Sequence, residues 1–214
     1  MKFYTEEVKK TINSDNVTIV AATKYFSSEE MIELYQTGIT HFGENRTEAL
    51  TEKYELLKHL PITWHFIGTL QTKKVKKVVN MIDYLHSLNT LKLAEELNKR
   101  RTSPLKCFIQ VNISDEESKH GFEVNEVIPF IDSLKDLEMI EVIGLMGMAE
   151  YTENEKIISE EFSKLNILQD NIHKELGIQL KELSIGMSND YLIALKHNAT
   201  YLRLGSVLFK KEGE

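Results

Sequence analysis

Paired cysteines, an excess of positive charge, frequent prolines and long apolar runs are all missing from this sequence. Each absence excludes something. One cysteine among 214 residues, Cys107, leaves no partner for an internal disulfide. It lies in the strand-like "KCFIQVN" with no neighbour that would activate a thiolate, so it reads as a buried, inert thiol. The 33 acidic residues outnumber the 26 basic ones, for a formal net charge of −7. A surface of that sign advertises neither nucleic acid nor anionic lipid as a partner, and any anion site must be local. No apolar run approaches the roughly 18–20 residues needed to cross a bilayer. The start, "MKFYTEEVKK", places charges where a signal peptide needs its apolar stretch. A cytoplasmic protein is therefore expected. With only three prolines and no Pro/Gly/Ser-rich linker or low-complexity segment, residues 1–214 read as a single domain.

What is present is a rhythm of short apolar runs alternating with helical patterns. Eight runs read as strands: 17–23, 40–43, 63–68, 84–87, 106–112, 141–147, 182–186 and 201–205. Residues 28–37 carry Met31, Leu34 and Tyr35 on one face, with Ser27 and Glu30 spaced as a capping box. Residues 91–100 and 153–176 show the same helical spacing, the latter aligning Ile158, Phe162, Leu165, Ile172 and Leu176. Residues 1–16 read as a short helix covering one end. Strands joined by helices run parallel. Eight such units predict an α/β fold of the (β/α)8 TIM-barrel type, with a doubly wound open sheet as the alternative.

Barrels place their sites where strands end and the following loops begin. The first run, "VTIVAATKYF", ends in Lys24. A strand that has surfaced into solvent would explain it; so would an amine placed for chemistry. The last two runs end in "GMS" (Gly186 to Ser188) and "RLGS" (Arg203 to Ser206). A Gly–Xaa–Ser loop is often only a turn and a helix cap. Two such loops after the seventh and eighth strands of a barrel match the usual place of a phosphate site. Arg203 falls inside a run that otherwise reads as buried, where a guanidinium stays charged and needs acceptors. A lysine partly desolvated beside another cation becomes a nucleophile towards a carbonyl. Lysine, arginine and phosphate loops together suit pyridoxal 5′-phosphate, and equally a Schiff-base aldolase acting on a sugar phosphate.

Other features carry less. His41, His65 and His86 lack the His-Xaa-His spacing of barrel metallohydrolases, so no metal site is expected. The run "KKVKK" (73–77) reads as the solvated face of a helix whose Val75, Val78 and Val79 pack inward. The acidic run "SDEESKHG" fails the spacing of a calcium loop and reads as a charged surface turn.

In order, "VAATKYF", "HFGENRTEAL", "WHFIGTLQTKK", "QVNISDEESKHGF", "IGLMGM", "LSIGMSNDY" and "YLRLGSVLF" span roughly residues 17–209. In these motifs the sequence resembles the pyridoxal-phosphate-binding homeostasis proteins, whose barrel is of the alanine racemase N-terminal type. The resemblance implies that Lys24 holds the cofactor as an internal aldimine and that Arg203 faces its pyridine nitrogen. It also implies that Ser188, Gly205 and Ser206 bind the phosphate, and that Asn45 and Met146 line the ring. Two positions depart from the family pattern: Lys73 in "LQTKK" stands for an asparagine, and Asn198 in "HNAT" for a glycine. Both leave the implied cofactor contacts alone. Racemases of this fold add a β-rich domain that supplies a catalytic tyrosine. This chain ends five residues after "VLF", and no such domain is expected in it. The resemblance therefore implies a carrier or regulator of pyridoxal phosphate in vitamin B6 and amino-acid homeostasis, without an established reaction of its own; a minimal amino-acid racemase is the alternative. The implied partners are pyridoxal phosphate and the apo-enzymes that use it, with no nucleic acid and no membrane. No large unpaired apolar patch is evident in the sequence, so a monomer is expected.

Overall fold

The structure, a computed structural model, describes residues 1–114 and 121–210. The acidic run singled out above falls mainly outside the described residues. Eight parallel strands close into a barrel: β2 (Thr18–Ala22), β3 (His41–Glu44), β4 (Thr63–Phe66), β5 (Tyr84–Leu88), β6 (Leu105–Gln110), β7 (Ile140–Met146), β8 (Glu182–Ser184) and β9 (Tyr201–Leu204). Each pairs with the next in the chain, and β9 returns to pair with β2, Val20 standing opposite Arg203. That closure removes the open-sheet alternative. The barrel expectation holds, and every strand lies within two residues of its expected bounds.

Seven helices make the crossovers: α2 (Ser28–Gln36), α3 (Thr47–Leu57), α4 (Val75–Val78), α5 (Leu91–Arg100), α6 (Val127–Ser133), α7 (Glu155–Leu176) and α8 (Tyr191–Lys196). Local chemistry sets their ends. Ser27 and Glu30 form a complete reciprocal capping box at α2, and the Thr90 side chain accepts from Leu93 N–H at α5. Gly177, at φ 69°, turns the chain out of α7. The lysines of "KKVKK" straddle a 3-10 turn and α4, while Val75, Val78 and Val79 are buried as expected.

The N-terminal segment differs from its expectation. It holds a two-residue strand, β1 (Lys2–Phe3), and α1 (Thr5–Ile12). β1 pairs antiparallel with β10 (Phe209–Lys210), which follows the last barrel strand. Tyr4 N–H donates to the Leu208 carbonyl, and Lys9 Nζ donates to the Thr37 carbonyl ahead of β3. α1 thus runs along the wall of the barrel, in the gap that the seven crossovers leave, instead of covering an end. Val8 and Ile12 are buried there because the barrel offers an apolar wall and an end would not.

Apolar side chains on the outward face of the strands, among them Phe42, Phe66 and Leu85, are fully buried beneath the helices. The interior carries a more polar set. His86 of β5 and Ser184 of β8 touch although their strands are not neighbours, so they meet across the lumen. Alternation then assigns Val20, Ala22, Met146, Tyr201 and Arg203 to the same inward face.

Candidate functional site

Strand β2 ends at Ala22, and Thr23 to Phe26 form a turn closed by Phe26 N–H on the Thr23 carbonyl. Lys24 lies in this turn, two residues past inward-facing Ala22. The turn is pinned from two sides. Phe26 packs edge-on against Phe209 at 4.5 Å and against Phe3 at 6.5 Å between ring centroids. Beneath it, the Thr23 hydroxyl donates to Glu44 Oε1 at 2.6 Å, and Lys53 Nζ bonds both that oxygen (2.6 Å) and the Thr23 carbonyl (2.7 Å). Lys24 itself is exposed, its Nζ 4.6 Å from the centroid of the Tyr25 ring. The partial desolvation expected of this amine is therefore not found: the strand stops two residues earlier, and the turn lifts the side chain to the rim.

Arg203 is the opposite case. It is buried on β9, and its Nη1 donates to the Ser184 carbonyl and hydroxyl, both at 2.6 Å. Its Nη2 donates to the Gly147 carbonyl at 3.0 Å. Burial pulls its pKa down to about 10, while the nearby Asp190 carboxylate works the other way. The guanidinium stays charged at neutral pH, fixed at the C-terminal end of the barrel.

The two glycine–serine loops meet as the sequence implied. Gly186 takes φ 90°, which brings the following turn round so that Asp190 Oδ1 accepts from Met187 N–H at 2.6 Å. Ser188 then faces the segment after β9. Its Oγ accepts from Gly205 N–H at 3.0 Å and from Val207 N–H at 3.3 Å. A Cβ on Gly205 would find only Ala22 atoms, at 3.9 Å, so open space lies over this loop. Backbone donors, a hydroxyl and an unfilled cradle form a fitting seat for a phosphate group. Ser206 is exposed at the start of the short 3-10 turn that follows. Met146 is buried on the inward face beside Ser184. Asn45 is exposed after β3; its backbone lies so close to Gly68 that a Cβ there would be 2.3 Å from the Asn45 carbonyl oxygen.

The structure brings Ser188 to Gly205 and places Arg203 two residues before that glycine; among the described residues the side chains of Lys24, Asn45 and Ser206 make no hydrogen bond or ion pair with them. Ser184, His86 and Gly147, which hold or adjoin the guanidinium, escaped the sequence reading. The signal was the spacing of His41, His65 and His86 on successive strands, which a search for metal spacing passes over. Their rings line up end to end. Among the described residues no cluster of three or more His, Cys, Asp or Glu side chains converges to hold a metal ion. Cys107 is fully buried, and burial pushes its thiol pKa up, as an unreactive core thiol requires. No helix of the described residues is long and apolar enough to cross a membrane.

Residues 5–212 match the family model of the alanine racemase N-terminal domain. The chain is 37% identical over 194 residues to a pyridoxal phosphate homeostasis protein of Aquifex aeolicus, a match covering 89% of this chain and 85% of that one. Its fold superposes on PipY of Synechococcus elongatus PCC7942 with pyridoxal phosphate bound, at a TM-score of 0.87 and 27% identity, covering 96% and 99% of the two chains. Alanine racemase of Clostridium difficile shares the fold at a TM-score of 0.82 and 13% identity; the likeness covers 98% of this chain and 56% of the racemase.

Proposed function

The chain belongs to the family of pyridoxal phosphate homeostasis proteins, built on the alanine racemase N-terminal barrel, and from that premise we propose that it binds pyridoxal 5′-phosphate as a Schiff base on Lys24. The observation that carries the reading is the meeting of Ser188 with the Gly205 and Val207 amides, two residues along the chain from the buried charge of Arg203. Phosphate, ring and aldehyde need three kinds of group, and each kind lies at or after the end of a strand at the C-terminal end of this barrel, which supports the reading. Ser188, whose hydroxyl the Gly205 and Val207 N–H groups orient, holds the phosphate together with the open backbone of Gly205 and Ser206. Met146 and Asn45 flank the ring. Lys24 supplies the amine from a pinned turn, where its exposure allows the aldehyde to be taken up and given back.

When bound, the cofactor supplies an electron sink, and Arg203 sets how strong that sink is. A guanidinium that keeps its charge leaves the pyridine nitrogen unprotonated, which weakens the ring as an electron acceptor. Such a site suits custody of the cofactor better than turnover of amino acids. We extend the reading to a cytoplasmic role in vitamin B6 and amino-acid homeostasis, with apo-enzymes that use pyridoxal phosphate as recipients. The test is absorption and mass spectrometry of the protein mixed with pyridoxal phosphate, before and after borohydride. A visible band that borohydride abolishes, with the pyridoxyl mass on Lys24 and none in Lys24→Ala, is the expected result. A protein that takes up no pyridoxal phosphate, or carries it on another lysine, overturns the proposal.

A further inference from the structure

A continuous chain of hydrogen bonds runs through the barrel from its N-terminal rim to Arg203. His41, the first residue of β3, lines an open cleft at that rim together with Lys9, Lys10, Asp15 and Thr18. Its Nδ1 lies 2.9 Å from His65 Nε2, and His65 Nδ1 lies 2.8 Å from His86 Nε2. His86 Nδ1 lies 2.7 Å from Ser184 Oγ, which in turn accepts from Arg203 Nη1 at 2.6 Å. His65 and His86 are 0% exposed, so no water competes for these ring nitrogens. His65 stacks on Tyr84 at 4.4 Å and His86 on Phe108 at 4.5 Å, which holds each ring in a fixed orientation.

A neutral imidazole has one donor nitrogen and one acceptor, so each ring dictates the next. Arg203 always donates. With its charge at the upper end, the favoured order runs outward: Ser184 O–H to His86 Nδ1, His86 Nε2–H to His65 Nδ1, His65 Nε2–H to His41 Nδ1. Every bond then polarises its neighbour in one direction. A protonated His41 cannot accept at Nδ1. It must donate to His65 Nε2, so His65 and His86 each carry their single proton on Nδ1 instead. Ser184 keeps its hydroxyl proton, turned away from His86, while its Oγ accepts from both sides; the net change is the one proton gained by His41. We propose that His41, His65, His86 and Ser184 form a tautomer relay that transmits the protonation of His41 at the N-terminal rim to the hydrogen bonds of Arg203 at the site. The histidines act as positioning residues, through Ser184; none of them touches the seat assigned to the phosphate.

The charges around the relay place its switch on the mildly acidic side of the ordinary histidine range. His41 titrates below the ordinary histidine value because burial outweighs the pull of Asp83. Lys9 and Lys10 of α1 and Asp15 share its cleft, and Tyr84 of β5, with Lys106 over its ring, closes the lumen beside it. Tyr201 of β9, itself next to Glu182 of β8, covers His65 and His86. Arg203 adds to burial in holding His86 neutral.

The test uses the full chain without cofactor, so its outcome is independent of the Lys24 reading. With 15N-labelled histidine, two-bond NMR correlations report which nitrogen of each ring carries the proton, from about pH 8 to about pH 5, the range in which histidines titrate. Expected is Nε2–H on His65 and His86 at the upper end, and a change of both to Nδ1–H with the inflection of His41, the amide fingerprint staying native. In His41→Gln both rings should keep Nε2–H throughout. In Ser184→Ala, which cuts the link to Arg203, His86 should lose its single tautomer at high pH. Rings of wild type that hold their tautomers while His41 titrates, or that switch equally in His41→Gln, overturn the relay. A pure Nε2–H His86 in Ser184→Ala overturns the direction assigned to it.

Discussion

Glu44 and Lys53 show how much rests on single side chains. Glu44 is fully buried, Lys53 nearly so, and their contact is 2.6 Å. Glu44 Oε2 has no hydrogen-bond partner, so the pair is kept for what it fixes, which is the turn carrying Lys24. Removing one partner strands the other charge in the core. Lys53→Met should destabilise the fold by about 3–5 kcal/mol, whereas Lys53→Met with Glu44→Leu should recover most of that loss. Urea unfolding of both variants checks this; equal losses would mean that packing, not charge, governs the site. Neither residue was legible as a pair, because nothing in "GEN" or in a lysine on α3 shows that they meet. Arg203 was legible, since a guanidinium in a buried run has few explanations. Lys24 was legible in position but not in environment: where a strand stops is settled by the turn beyond it, and here Phe3 and Phe209, distant in sequence, pack against that turn.

The two glycine loops look alike in sequence and differ in what they demand. At Gly186 a Cβ would lie 2.7 Å from Ala194 Cβ and 2.9 Å from Leu202, on a backbone already at φ 90°. At Gly205 it would meet only Ala22 atoms, at 3.9 Å. Gly186→Ala should therefore cost about 1–3 kcal/mol of folding stability by overpacking and strain. Gly205→Ala should cost less stability yet weaken pyridoxal phosphate binding more, since its methyl fills the cradle beside Ser188. Thermal unfolding and cofactor titration, run on both variants, separate the two; the opposite ranking would remove Gly205 from the proposed seat. Asn198, the family's glycine position, adopts φ 62°, which asparagine tolerates better than other residues with a side chain, so this departure keeps the turn before β9 intact. The order of strands and helices was readable because apolar runs and helical spacing alternate so regularly from Val17 to Leu204. The β1–β10 pair was not, since two-residue strands carry no periodicity.

Two histidines locked neutral inside one barrel, with a third that titrates low at its rim, make the protein as a whole sensitive to mild acid. His65 and His86 are held well below the ordinary histidine range, first by burial and then by neighbouring positive or titrating groups, and His41 is lowered by burial. In the unfolded chain His65 and His86 take up protons near pH 6.5 while in the native chain they do not, and native His41 takes up its proton later than the unfolded one. U therefore binds more protons than N, and stability rises with pH in this window. It is fully present above about pH 6.5 and is lost as pH falls towards the folded values, at about 1.4 kcal/mol per pH unit for each ring that stays neutral. The carboxylate of Glu48, held down at about 2 chiefly by Lys74, acts at far lower pH and is separable. Urea midpoints should therefore drop steadily between about pH 6.5 and about pH 5, where most proteins are near their most stable. His65→Phe keeps the stack on Tyr84 and removes one titrating ring, so its slope in that window should be shallower than that of wild type by about 1.4 kcal/mol per pH unit. An unchanged slope would show that the buried imidazoles are protonated in the folded barrel, against the burial that encloses them.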